Sequence, residues 1–261
     1  MIKIAAIQMR SEKALVDINR KKAVAFVKEA AANGAKLICL PELWVSGYGL
    51  KTSMFHQLAE HVEGTTVTMF QQLAKALRVV LIVPFPEREE LDKSLFISAA
   101  IINVDGKICG IQRKSLIWGT ENKTFLPGEK KYPVYKTAAG NLGVLICYDI
   151  EFPEPARLLA LQKADLIVVP SVWSIKAQQR WDIQLPARAL DNSVYVLGVN
   201  AVSEGVCGKS KFISPRGTVL KEGSATNEGI IYGNIDMNTI QSVRNDIPYM
   251  KDYPPEFTPR G

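Results

Sequence analysis

Apolar positions in this chain fall into short continuous runs separated by amphipathic stretches, the alternation expected of strands and helices around a shared core. Residues Ile2–Gln8 read as a strand and 17–33 as an amphipathic helix closed by Gly34. A short buried strand over 37–40 is stopped by Pro41, 65–77 is helical, and 79–84 is a strand. Residues 95–103 and 107–112 form a hairpin around Asp105-Gly106. The second half repeats the theme with strands at 141–147, 165–170, 194–200, 208–213 and 229–236. Its clearest helix spans 178–190, and Ser214-Pro215-Arg216-Gly217 reads as a hairpin turn. Strands mixed with helices outside them imply a layered α/β or α+β architecture, taken as one domain over 1–261. The stretch 113–132 is polar, aromatic and without periodicity, and that length without regular structure marks it as functional. Residues 248–261, rich in proline and aromatics, predict an extended, non-helical arm that docks on a surface, a neighbouring subunit being one candidate.

Composition adds bounds. A chain of 261 residues with 47% hydrophobic content can bury a sizeable core. No apolar run approaches the roughly 20 residues of a membrane helix, and the first residues read as a strand rather than a leader. Cys39, Cys109, Cys147 and Cys207 stand far apart without a C-x-x-C pair, so reduced thiols and a cytoplasmic location are expected. The formal charge of +6 is dispersed, and its short clusters, Lys21-Lys22 and Lys130-Lys131, suit solvated surface; no nucleic-acid or membrane partner is expected. There is no dinucleotide fingerprint or phosphate loop, and Val45-Ser46-Gly47-Tyr48-Gly49 lacks the first glycine of a serine nucleophile elbow.

Candidate chemistry centres on Cys147, which ends the apolar run Gly143-Val144-Leu145-Ile146 and precedes Tyr148-Asp149-Ile150-Glu151-Phe152-Pro153-Glu154. A thiol where a strand runs into a helix faces the positive helix end, which favours thiolate and offers N–H groups to an oxyanion. The competing reading is a small buried hydrophobe. A histidine base is not at hand: His56 and His61 match neither a cysteine–histidine arrangement nor a metal motif, and read as exposed helix or loop residues. What remains are charges at strand ends, Glu42 just beyond the proline-stopped strand and Lys114 after the hairpin. Singly each reads as an ordinary solvated charge; together a carboxylate and an ammonium supply what thiol attack on a carbonyl needs.

This combination resembles the nitrilase superfamily of carbon-nitrogen hydrolases over nearly the whole chain. Its glutamate block is similar to Leu40-Pro41-Glu42 through Gly47-Tyr48, its lysine block to Arg113-Lys114-Ser115-Leu116, and its cysteine block to Gly143 through Glu154. A further glutamate matches Glu121, and late blocks match Pro170-Ser171-Val172-Trp173, Ala187-Arg188-Ala189-Leu190-Asp191-Asn192 and Gly208-Lys209-Ser210. The resemblance implies a four-layer α-β-β-α sandwich with two mixed sheets and no metal or organic cofactor. It also implies a homodimer or larger homo-oligomer, with the C-terminal arm crossing the dimer. In it Glu42 is the general base, Lys114 and the Tyr148 N–H hold the oxyanion, and Cys147 carries a thioester. Glu121 either orients Lys114 or the leaving amine, transfers a proton, or forms a structural salt bridge.

Tyr148-Asp149 after the cysteine looks like the amidase and carbamoylase branches rather than the nitrile-cleaving ones, which typically carry Trp-Glu. Where carbamoylases place arginines to bind a substrate carboxylate, Ile150 and Glu151 stand here. An acid at that place predicts a neutral or amine-bearing small amide as substrate; the alternative is that Glu151 complements the helix N-terminus. Tyr48, Trp118, Tyr148 and Trp173 are candidates for the pocket wall, and Trp181 for the core. The other readings are an N-carbamoyl amidohydrolase, a nitrilase, acyl transfer to an amine, and a redox-sensing thiol, the last disfavoured by the lack of a nearby resolving cysteine.

Overall fold

Side chains of β1 (Ile2–Gln8) alternate between two cores: Ile4 and Ala6 join one apolar cluster, Ala5 and Ile7 another. The structure, a computed structural model, describes residues 1–257. After β1 come α1 (Val16–Ala32), β2 (Leu37–Cys39), α2 (Thr52–Leu58), α3 (Thr65–Leu77), β3 (Val80–Arg88), β4 (Leu95–Ile102) and β5 (Ile108–Arg113). β1, β2 and β3 are parallel, with Ile4 beside Leu37 and Leu37 beside Val80; β4 and β5 add antiparallel, with Leu81 beside Ile102. One face of this sheet, through Ala5, Ile38 and Leu81, packs on Ala23, Val27 and Ala30 of α1 and on Val67, Phe70 and Ala74 of α3.

The second half runs β6 (Tyr135–Thr137), β7 (Gly140–Val144), α4 (Pro153–Leu161), β8 (Leu166–Ser171), α5 (Gln178–Asn192) and β9 (Tyr195–Asn200). A small hairpin, β10 (Val202–Ser203) with β11 (Val206–Cys207), precedes β12 (Lys211–Ile213), β13 (Val219–Glu222), β14 (Gly229–Ile235), α6 (Met237–Asp246) and α7 (Tyr249–Asp252). The second sheet has the order β13-β12-β9-β8-β7-β6, whereas β14 crosses back to pair antiparallel with β1. Its inward residues Val144, Val168 and Leu197 share a cluster with Ile4, Ile82 and Ala99 of the first sheet. Its outer face carries α4 and α5. A Cβ at Gly143 would lie 2.5 Å from Leu159 of α4, and one at Gly198 2.5 Å from Leu185 of α5. The layers are therefore α-β-β-α, the expected sandwich.

Three expectations need correction. The strand read over 141–147 ends at Val144, and Cys147 opens a 3₁₀ turn, Cys147–Glu151. Its φ of +51° turns the chain out of extended geometry. The arm over 248–261 is not wholly extended: α7 follows Pro248, whose carbonyl accepts from Lys251 N and Asp252 N at 2.9 and 3.0 Å, and Pro255–Phe257 is a 3₁₀ turn. Proline's fixed φ suits the start of a helix as well as an extended arm. The described part of that arm docks on its own α4, where Arg157 lies 5.3 Å over the Tyr253 ring; residues 258–261 lie outside the described residues. Helices α2 and α6 were not anticipated, because each buries only one or two side chains and so shows little periodicity. Among the described residues no helix is long and apolar enough to cross a membrane.

Candidate active site

The segments following β2, β5, β7 and β8 converge at one end of the paired sheets and bring Glu42, Lys114, Cys147 and Val172 together. Lys114 and Glu42 have wholly buried side chains. Lys114 Nζ donates to Glu42 Oε1 at 2.8 Å and to both oxygens of Glu121 at 3.0 and 2.8 Å. Its three protons thus have three carboxylate acceptors. The second oxygen of Glu42 accepts from the Val172 N–H at 3.1 Å. Glu121 is fixed further by the Tyr48 hydroxyl at 2.7 Å and the Trp118 N–H at 2.9 Å. That last bond caps the 3₁₀ turn Gly119–Lys123, which is why the aperiodic 113–132 stretch is ordered here.

Cys147 is 7% exposed and lies close enough to Glu42, Lys114 and Glu121 for each charge to act on it. Burial first, then the Glu42 charge, pushes its thiol well above the ordinary range, against the pull of Lys114. The pull of the helix N-terminus toward thiolate is opposed here by a dry site with two carboxylates. Burial pushes Glu42 up to about 7 against the opposing pull of Lys114. Lys114 itself is held charged, since the neighbouring anions overcome the desolvation that would lower it. A carboxylate poised near neutrality beside a neutral thiol is suited to take its proton. Cys147 holds a left-handed φ that a side-chain-bearing residue adopts at some cost, a conformation found at functional turns.

Asp149 is fully buried and accepts from the Ser115 hydroxyl at 2.9 Å, Leu116 N at 2.9 Å, Ser115 N at 3.2 Å and Ile146 N at 3.1 Å. Burial raises its carboxyl to about 6, with these donors holding it down.

A cavity of about 270 Å³ opens beside Cys147 and includes Tyr48, Trp118, Tyr148, Glu151 and Trp173 in its wall, so all five predicted pocket residues reach it. Trp118 and Tyr148 pack at 4.9 Å. Trp173 Nε1 is buried without a hydrogen-bond partner among the described residues. Trp181 packs 5.2 Å from Trp173 and is fully buried, a core residue. Glu151 does not present a free anion. Arg180 Nε lies 3.0 Å from its Oε2, and the guanidinium sits 5.5 Å over Trp118 and 5.8 Å over Trp173. With Lys176 also in the wall, two cations and one anion line the cavity. Arg180 and Lys176 escape sequence reasoning because a cation on the polar side of a helix start looks like solvated surface. His56 lies on α2, and His61 accepts from Glu63 N at 3.3 Å, both away from this centre.

The family profile described as carbon-nitrogen hydrolase matches residues 3–245. A probable nitrilase of Schizosaccharomyces pombe is 34% identical over 98% of this chain and 97% of its own length. An omega-amidase of Homo sapiens is 29% identical over 95% of this chain and 94% of its own. Among solved structures, Nit3 of Saccharomyces cerevisiae, a member of branch 10 of the nitrilase superfamily, superposes with a TM-score of 0.89 at 30% identity, covering 96% of each chain. An amidase from Nesterenkonia sp. gives 0.82 at 26% identity over 95% of each. With its two-sheet sandwich and near full-length match, the chain belongs to the carbon-nitrogen hydrolase family of the nitrilase superfamily.

Proposed function

We propose that the protein is an amidohydrolase that releases ammonia from a small carboxamide through a thioester on Cys147. The observation that carries this reading is the dry cluster in which Lys114 holds Glu42 and Glu121 together beside the thiol. Glu42 takes the thiol proton as sulfur attacks the amide carbon, which loosens its hold on one Lys114 N–H, and the oxyanion rests on that freed donor and on the Tyr148 N–H, one of the first amides of its turn. Glu42 returns the proton to the nitrogen, the C–N bond breaks, and ammonia leaves. Water then gives a proton to Glu42, attacks the thioester carbon, and the C–S bond breaks with the acid and the thiol restored. Glu121 is the orienting residue in this scheme: both its oxygens are held by Lys114, Tyr48 and Trp118, which fixes the carboxylate, and through it the lysine, in place.

The excess of cations in the cavity supports a substrate whose far end is neutral or carries a carboxylate, with Lys176 and Arg180 receiving it and the orphan Trp173 N–H as a further donor. A homodimer and a cytoplasmic location belong to the same reading; four free cysteines accord with a reducing compartment. The test is ammonia release from matched amides with neutral, carboxylate and amine ends, alongside a nitrile and an N-carbamoyl amino acid. The carboxylate-ended amide is expected to give the highest kcat/KM. A nitrile or carbamoyl compound turning over faster than every amide would refute the reading.

A further inference from the structure

Nucleophile and oxyanion lysine belong to different sheets, Lys114 following β5 of the first and Cys147 following β7 of the second. Their relative placement therefore depends on something that crosses between the sheets. Two buried side chains do so at the site itself: Glu42, which accepts from Val172 N after β8, and Asp149, which ties the lysine segment directly to the nucleophile turn. Asp149 Oδ2 accepts from Ile146 N, the residue before the nucleophile. Its Oδ1 accepts from Ser115 N, Ser115 Oγ and Leu116 N, the two residues after the lysine. Ser115 Oγ lies in turn 2.6 Å from the Tyr132 hydroxyl, so the lysine segment is gripped from both sides.

We propose that Asp149 is a positioning residue, a clamp that sets the distance between the Lys114 ammonium and the Cys147 sulfur and so places the oxyanion donor for acyl transfer. It acts through others: its hydrogen bonds go to backbone and hydroxyl groups on either side of the reacting atoms. Four donors converge on one carboxylate, so a group of the same shape that carries its own N–H must turn a donor toward a donor. Such a loss leaves buried N–H groups unsatisfied at the two joints that matter. A displacement of about 1 Å between nucleophile and oxyanion donor is enough to cost on the order of 10²-fold in rate.

The activity part of the test rests on the amidohydrolase reading; the exchange part does not. In Asp149→Asn, kcat for amide hydrolysis is expected to fall about 10²-fold with KM changed by less than about threefold, since binding at the far cavity wall is untouched. Alkylation of Cys147 by iodoacetamide displaces iodide without forming an oxyanion, so its rate should move far less than kcat. Equal losses in hydrolysis and alkylation, or no loss in either, would overturn the clamp. Where Asp149→Asn does not fold, Ser115→Ala removes one of the donors to Oδ1 and is read the same way, with an expected kcat loss of about tenfold. Hydrogen exchange at the Ser115 and Leu116 amides, read by mass spectrometry without substrate, should accelerate at least about tenfold in the variant. Unchanged exchange overturns the clamp whether or not any amide is hydrolysed, whereas an inactive wild type with accelerated exchange overturns only the hydrolytic reading.

Discussion

Replacing Lys114 with methionine removes the cation that sits between two carboxylates and should act on rate in two separable ways. The first is loss of an oxyanion donor, about 10²–10³-fold in kcat. The second is a change in the base. Lys114 Nζ lies 2.8 Å from Glu42 and opposes the burial that has already raised this carboxyl to about 7. Without a cation at that range the carboxyl should climb by a further 1–3 pH units, roughly. At pH 7 the ionised fraction of Glu42 then shrinks by about fivefold or more, compounding the first loss, whereas at pH 9 much of the second recovers. Ammonia release measured from pH 6 to 9.5 should therefore show a defect of about 10³-fold or more at pH 7 that narrows with rising pH. Folding should survive, because Glu42, already raised to about 7, can take up a proton once the ammonium is gone; a cost of roughly 3 kcal/mol is expected, read from the melting temperature. A Lys114→Met enzyme within a few-fold of wild type at pH 7, or one whose defect is the same at every pH, would refute the reasoning.

Two further outcomes follow from the same site. The acid limb of kcat/KM in the wild type should fall tenfold per pH unit below about 7, because protonated Glu42 cannot accept the thiol proton; a rate flat from pH 5.5 to 8 would contradict this. Arg180→Ala should raise KM for a carboxylate-ended amide about tenfold while leaving a neutral amide within about twofold. Steady-state kinetics on the two substrates decide it, and equal effects on both would assign Arg180 to packing over Trp118 and Trp173 rather than to charge recognition.

Much of this geometry could be read along the chain, for a physical reason. Glu42 and Cys147 each stand just past a buried run and Lys114 just past the edge strand of a hairpin, and a strand that stops abruptly at a polar group delivers that group to a rigid edge. The hairpin of β4 and β5 and the helix α3 were equally plain, the first from its Asp105-Gly106 turn and the second from its apolar period. The site's relations across the sheets were not. Asp149 meets Ser115 over 34 positions, and nothing in the local sequence of either says so. The Glu151–Arg180 pair was hidden for the same reason, because a charge seen alone in sequence is met by its partner only in the fold. At Cys147 opposing effects meet, rather than a contact being missed. A helix N-terminus contributes modestly to thiolate stability, and full burial beside Glu42 and Glu121 outweighs it.

The most direct test of the account is the fate of Cys147 during turnover. Wild-type protein quenched in acid while consuming a small amide should carry the acyl mass on the peptide containing Cys147. Cys147→Ala should lose at least about 10⁴-fold in ammonia release while keeping its fold. Full activity in Cys147→Ala, or an acyl group mapped to another residue, would contradict it.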